Sequence, residues 1–170
     1  MALPASRNGL MAATAAARRS VYLTMAYFAP GDEMVDALAD AARRGVDVSL
    51  VLPGRSDVKL VQQAARSYYA GLLEAGVHIH EVTHAVMHAK TFVVDGVLSS
   101  VGSSNLDWRS ITANDEMDLM VLGEDFGAEM QALFEQDVSD ARRIDAAQWQ
   151  KRGLLQRAHE LIGRLMVPLL

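Results

Sequence analysis

The sequence predicts an α/β fold, an α-β-α sandwich built on a mixed, largely parallel sheet, and three observations carry that expectation. Strand-like apolar runs alternate with helical stretches through residue 82, the rhythm of strands connected by crossover helices. The run at residues 46–52 is almost continuously apolar, as in strands covered on both faces. Beyond residue 88 the alternation stops, and two strand-like runs are joined by Asp95 and Gly96, a dipeptide favoured in tight hairpins.

Element by element, residues 10–19 are alanine-rich and predict a helix, and residues 21–28 are β-branched and aromatic, closed by Pro30 and Gly31. Asp32 is placed to cap a helix through Arg44, with Met34, Val35, Leu38, Ala41 and Ala42 on one stripe and Gly45 as its stop. A strand at 46–52 turns out at Pro53 and Gly54, a helix spans 58–75 to Gly76, and a strand follows at 77–82. Residues 88–94 and 97–101 form the hairpin, 114–122 a further strand and 124–138 a helix. The chain divides into a main unit, 1–145, and an amphipathic helix, 146–170. In that helix Trp149, Leu154, Leu155, Leu161, Ile162, Leu165 and Met166 alternate with Lys151, Arg152, Arg157 and Arg164. Such a helix either packs on the domain or lies against anionic lipid headgroups.

Composition narrows the function classes. At 170 residues, 51% apolar and 22% charged, the chain has the length and apolar content of one folded domain and neither the low hydrophobicity nor the charge excess of disorder. A formal charge of -5 argues against a broadly basic nucleic-acid clamp. The absence of cysteine removes disulfides, thiolate metal sites and thiol nucleophiles. No apolar run reaches the eighteen or so residues of a membrane-spanning helix, and Arg7 and Asn8 stand where a signal peptide would place its apolar region.

The chemistry concentrates between His88 and Asn105. On a strand, His88 and Lys90 project from one face, setting an imidazole beside an ammonium. Ser103 and Asn105, after Gly102, have the same spacing and add a hydroxyl and an amide able to hold anionic oxygens. That set suits a phosphate. A histidine can attack phosphorus or protonate a leaving oxygen, and a nearby lysine stabilises charge on the equatorial oxygens. Fixing the histidine tautomer calls for a carboxylate, and Glu116 and Asp95 are the candidates. Asp95 also serves as a turn former, because Asp-Gly is turn chemistry by itself. His78, His80, His84 and His88 raise a metal-site alternative. It gives Lys90 no role and places a cation beside the metal, so neither metal nor cofactor is expected.

The pattern His88-Ala-Lys90, four residues, Asp95, six residues, Gly102-Ser103-Ser104-Asn105, with Glu116 following, resembles the signature of the phospholipase D superfamily. Tyr27-Phe28 with Pro30, Arg66-Ser67-Tyr68-Tyr69, Leu106-Asp107-Trp108-Arg109-Ser110 and Asn114 make it more similar still to bacterial cardiolipin synthases. The resemblance spans nearly the whole chain. It implies a phospholipase D-like sandwich and a metal-independent phosphatidyl transfer, in which one histidine forms a phospho-enzyme and a second acts as acid and then base. It implies orientation of the histidine by Glu116 and structural support from Asp95. A phosphatidylglycerol-like phospholipid is the expected substrate, and peripheral contact with the cytoplasmic face of a membrane the expected setting. Trp108 and Arg109 are candidates for shaping the pocket near the headgroup, and Tyr27 and Phe28 for closing a core strand or lining the entrance.

Those synthases carry two such motifs, and this sequence carries one. It resembles the C-terminal half of the usual two-domain enzyme, so a fragment, a truncated gene product and a homodimer sharing one site are the expected alternatives. The rival activities are a phospholipase D-type phosphodiesterase and a one-motif dimeric nuclease. An inactive fragment or membrane-binding module is the rival outside catalysis.

Overall fold

Helix and strand alternate as α1 (Ala5–Ala16), β1 (Ser20–Met25), α2 (Asp32–Arg43), β2 (Asp47–Pro53), α3 (Lys59–Glu74) and β3 (His78–Val82). Then come β4 (Lys90–Val94), β5 (Leu98–Gly102), β6 (Asp118–Leu122), α4 (Glu124–Ser139), β7 (Arg142–Arg143), α5 (Ala146–Gln150) and α6 (Leu154–Met166). This computed structural model describes residues 5–107, 110 and 114–167, with side chains from residue 8 onward.

One seven-stranded sheet runs in the order β6-β5-β4-β1-β2-β3-β7. It is mixed, as expected, but not largely parallel: among the described residues β1-β2 and β2-β3 are parallel, and the other four pairings are antiparallel. The cause is the 83–89 connection, which contains no helix. A strand reached without a crossover enters from the edge where the previous one ended and must run back. β4 accordingly pairs antiparallel with β1, Met25 opposite Lys90.

The near-continuous apolar strands are covered on both faces. Val21, Leu23 and Met25 of β1 and Val48, Leu50 and Leu52 of β2 join Leu10, Met34, Leu38, Tyr69 and Leu72 of the helices in the main core. Leu23, Leu38, Leu50 and Leu72 are fully buried, and each such side chain contributes about 1.5–3 kcal/mol. On the opposite face α4 lays Phe134 parallel to Tyr22, centroids 4.7 Å apart, and Phe134 clusters with Val51 and Val82. A Cβ on Gly127 would collide with the Gly96 carbonyl, so glycine permits α4 to approach the hairpin this closely.

The hairpin turn is as expected: Asp95 and Gly96 both have left-handed backbone, with φ 55° and 64°, and Val97 N–H donates to the Val94 carbonyl at 3.0 Å. The C-terminal stretch differs from the expectation. Where a single helix is expected over 146–170, the described part of that stretch, through residue 167, holds two helices, interrupted at residues 151–153. Asp145 caps the first by accepting from Gln148 N–H at 2.7 Å, and Arg152 turns back to bind Glu160 at 2.9 Å.

Candidate active site

The antiparallel return of β4 puts several chemical groups on one edge of the sheet. β1 and β2 end there, the 83–89 connection passes along it, β4 begins there, and β5 returns to it with Gly102 opposite Asp118 of β6. The carboxyl edge of parallel strands, where backbone groups turn outward, is a common place for ligand sites.

His88 ends the connection and Lys90 opens β4. His88 therefore lies outside the regular strand, but the two side chains still meet. Lys90 Nζ is 3.1 Å from His88 Nδ1 and donates to the His88 carbonyl oxygen at 2.9 Å. Lys90 is buried, and burial pulls its ammonium below the ordinary lysine value against the opposing pull of Glu116 and Asp107. Lys90 is thus a buried cation facing carboxylates, with an imidazole at hydrogen-bonding distance.

Glu116 Oε1 accepts from Ser110 Oγ at 3.0 Å and from Asn114 Nδ2 at 3.1 Å. Burial pushes this carboxyl upward, but hydrogen bonding from Ser103, Asn114 and Ser110 and the Lys90 charge outweigh it and hold the group below the usual glutamate value. Glu116 thus serves the site as an ionised counter-charge to Lys90. Ser110 is buried and also receives Asn105 N–H at 3.2 Å, so one hydroxyl ties the amide-bearing segment to the carboxylate.

Ser103 pairs with Met117: its hydroxyl accepts Met117 N–H at 3.0 Å, and its own N–H donates to the Met117 carbonyl at 3.0 Å. Asn105 Oδ1 is buried without a partner, unusual enough for a polar atom to mark a place where a donor binds. Gly102 has a packing reason to be glycine, since a Cβ would overlap the Asp118 carboxylate and the Met117 carbonyl.

Asp95 is not in this group. It lies at the opposite end of β4, where Oδ1 accepts Arg19 N–H at 2.7 Å and Ser20 N–H at 2.9 Å, and Oδ2 accepts Arg18 N–H at 3.0 Å. Burial raises its pKa, and those three N–H groups with the Arg19 charge more than reverse the effect. The five-residue offset from Lys90 spans a strand of about 3.3 Å per residue, so Asp95 cannot orient His88.

Two groups emerge that sequence reasoning did not single out. Asp107 is buried, accepts Ser110 N–H at 2.8 Å and acts on Lys90 as a second negative charge. Asp57 accepts the Tyr27 hydroxyl at 2.8 Å, and Tyr27 in turn stands edge-on to His88, centroids 6.1 Å apart at 89°. Tyr27 therefore lines the site, whereas its neighbour Phe28 is in the core. Asp107 belongs to the Leu106–Ser110 resemblance, a signal that was present but carried no geometry. Nothing near Asp57 in the sequence indicates the site. Trp108 and Arg109 lie outside the described residues.

The family model for the cardiolipin synthase PLD-like domain matches residues 10–138, and the chain belongs to that family. It is 42% identical over 163 residues to the cardiolipin synthase A proteins of Salmonella arizonae and Salmonella paratyphi B, covering 96% of this chain and 34% of each relative. The chain thus spans about a third of their length. Among solved structures, the phospholipase D family member Nuc of Salmonella typhimurium superposes with a TM-score of 0.71 at 22% identity, over 81% of this chain and 90% of Nuc. The phosphatidylserine synthase of Haemophilus influenzae Rd KW20 gives 0.71 at 12% identity, over 92% of this chain and 40% of the synthase. These likenesses establish the phospholipase D-like fold.

Proposed function

We propose that the chain supplies one half of a cardiolipin synthase-type phosphatidyltransferase site, with phosphatidylglycerol as donor and acceptor. The observation that carries this reading is the 3.1 Å approach of the buried Lys90 Nζ to His88 Nδ1 on the edge where β1, β4 and β5 bring the chemical groups together. In the reaction a neutral imidazole nitrogen attacks phosphorus, a P–N bond forms, and the P–O bond to the donor's glycerol breaks. A second histidine protonates the departing oxygen. That histidine then takes the proton from the hydroxyl of another phosphatidylglycerol, whose oxygen displaces the phosphohistidine and yields cardiolipin. Lys90 stabilises charge on the non-bridging oxygens, the Ser103 hydroxyl and Asn105 amide hold the phosphate, and Glu116 balances Lys90. Asp95 and Gly102 shape the frame.

The second histidine comes from another motif, in a longer protein or in a second copy. In support, β6 is an edge strand of the sheet, and Met117, Leu119, Met120 and Leu122 are exposed on or beside it. An uncovered edge next to Ser103 suits a second half-site. With water in place of the acceptor, the same intermediate gives a phospholipase D-type phosphodiesterase.

The test is to supply phosphatidylglycerol in vesicles and quantify cardiolipin and released glycerol, while light scattering reports the assembly state. Equimolar cardiolipin and glycerol, abolished by His88→Ala, supports the transferase. Cleavage of DNA or RNA without cardiolipin sinks it. A monomer with no phosphodiesterase activity, unchanged by the substitution, supports an inert half or a binding module.

A further inference from the structure

The helix α6 is docked inside out. The side that meets α3 is polar: Glu160 and Gly163 are buried, Gln156 is half-buried, and Glu160 binds both Arg152 and Gln156. Gly163 permits the approach, since a Cβ there would collide with the backbone of Gln63 and Ala64. Gln156, Glu160 and Gly163 are spaced four and three residues apart, one helical stripe. The opposite stripe holds Leu154, Ala158, Leu161, Ile162 and Leu165, and the four large residues are 83%, 59%, 53% and 71% exposed in that order, with Leu155 beside them at 72%. A surface helix ordinarily turns its apolar stripe to the core, and this one turns it to solvent.

We propose that this outward face of α6 is a membrane-docking surface that lies in the interface of a bilayer containing anionic phospholipid. Charge selects the occupant. The chain as a whole is acidic, at -5, yet residues 151–166 carry Lys151, Arg152, Arg157 and Arg164 against the single acid Glu160. Glu160 is buried and consumed by Arg152, and Arg164 pairs with Asp32. Lys151 and Arg157 form no ion pair among the described residues and flank the apolar stripe. Arg157 also lines, with Arg152, Arg164 and Glu160, a cleft of ≈ 380 Å³ between α3 and α6, where three guanidinium groups outnumber the one carboxylate. Leucines flanked by cations are the composition of helices that lie in an anionic interface. The preference for lipid over a protein partner rests on the phosphatidyltransferase reading.

Placement agrees with use. Arg164 of α6 reaches Asp32 at the start of α2 and lies over Tyr68, which meets Phe28 edge-on. α2 begins beyond the end of β1 where Tyr27 lines the site. The C-terminal end of α6 therefore sits on the same edge of the domain as the candidate active site, and a bilayer meeting Ile162 and Leu165 would bring lipid phosphates to that edge.

The 170-residue chain is to be sedimented with vesicles of phosphatidylglycerol and phosphatidylcholine, and with phosphatidylcholine alone. The wild type is expected to partition onto the anionic vesicles. Leu161→Glu with Leu165→Glu should lower that partition at least about tenfold, with little change in the thermal transition because both side chains are mostly exposed. Lys151→Gln with Arg157→Gln should weaken binding to anionic vesicles and reduce its dependence on salt. Failure of the wild type to bind, or equal binding by the leucine variant, overturns the proposal. So does a dimer in light scattering that the leucine variant converts to monomer, which would assign the face to a second copy. A chain that binds vesicles without transferring phosphatidyl groups would rule out a site completed by a second copy and leave this proposal standing. An active assembly with no α6-dependent binding would do the reverse.

Discussion

Lys90 Nζ lies 3.1 Å from His88 Nδ1 and 2.9 Å from the His88 carbonyl oxygen, so one ammonium fixes both the backbone and the ring of the residue two places before it. An ammonium only donates, so Nδ1 is the lone-pair nitrogen of the neutral ring in this geometry, and attack through it requires Lys90 to turn from the ring to the phosphate. The same cation is buried, and the charges of Glu116 and Asp107 offset part of its desolvation.

Lys90→Met tests both halves of this account. Phosphatidyl transfer should fall by about 10²–10³-fold, the effect of removing one preorganised charge stabiliser. Thermal stability should not fall with it. Burial lowers the folded-state pKa of Lys90, so between the folded value and the higher unfolded value the unfolded chain binds more protons and stability rises with pH. The wild type should therefore gain stability from neutral toward alkaline pH, and the methionine variant should lose that component. Calorimetry at both pH values decides; a variant that melts well below the wild type at neutral pH contradicts the burial argument.

Glu116→Gln should lower transfer by about 10–100-fold, in the range of partners that hold a catalytic group from behind. The carboxyl is held below the ordinary glutamate value, so it is already ionised through the neutral range. The loss should therefore be uniform across pH 6–8. A shifted acid limb in the rate profile would instead make Glu116 the titrating acid.

Asp95→Ala should destabilise the fold by about 1–3 kcal/mol, because three backbone N–H groups, from Arg18, Arg19 and Ser20, lose their acceptor. Asp95→Asn keeps the left-handed turn accessible and one acceptor oxygen, and should cost less. The folded-state pKa of Asp95 is depressed, so its charge stabilises above the unfolded aspartate value. That contribution is lost as pH falls through the folded one. The stability gap between wild type and Asp95→Asn should close below about pH 4. A gap independent of pH would remove the electrostatic part of the argument.

The sequence was most legible where one local rule decided the outcome. Asp95-Gly96 specified its turn through backbone preference, and the continuous apolar β2 specified burial on both faces. Strand direction was less legible, because β4 becomes antiparallel to β1 through the path of residues 83–89, which has no periodic signal. Spacing paired His88 with Lys90, and the family resemblance added Glu116 but also Asp95, which shares their motif and sits at the far end of the strand. Asp107 and Asp57 reach the site only through tertiary folding. The inverted α6 is the clearest case: its apolar residues were visible, but which stripe would meet α3 depended on Gly163 and the Glu160 network.

Glu81 offers the strongest test of the frame behind the site. It is fully buried, and its two oxygens are held by Arg66 Nη2 at 2.9 Å and by Arg142 Nη2 at 2.7 Å. The Tyr69 hydroxyl adds a 3.4 Å contact to Oε1, and burial with the Glu81 charge pushes that phenol well above its ordinary value. Removing the carboxylate leaves Arg66 beside an apolar core and removes the side-chain link from β3 to Arg142 of β7, whose backbone pairing remains. Glu81→Ala should therefore cost about 3–5 kcal/mol, as when one member of a buried pair is deleted. Arg142 is more exposed than Arg66, at 63% against 20% of the side chain, so Arg142→Ala should cost less than Arg66→Ala. Denaturant unfolding of the three variants checks the order, and equal effects from the two arginine variants would mean that burial does not set their contributions.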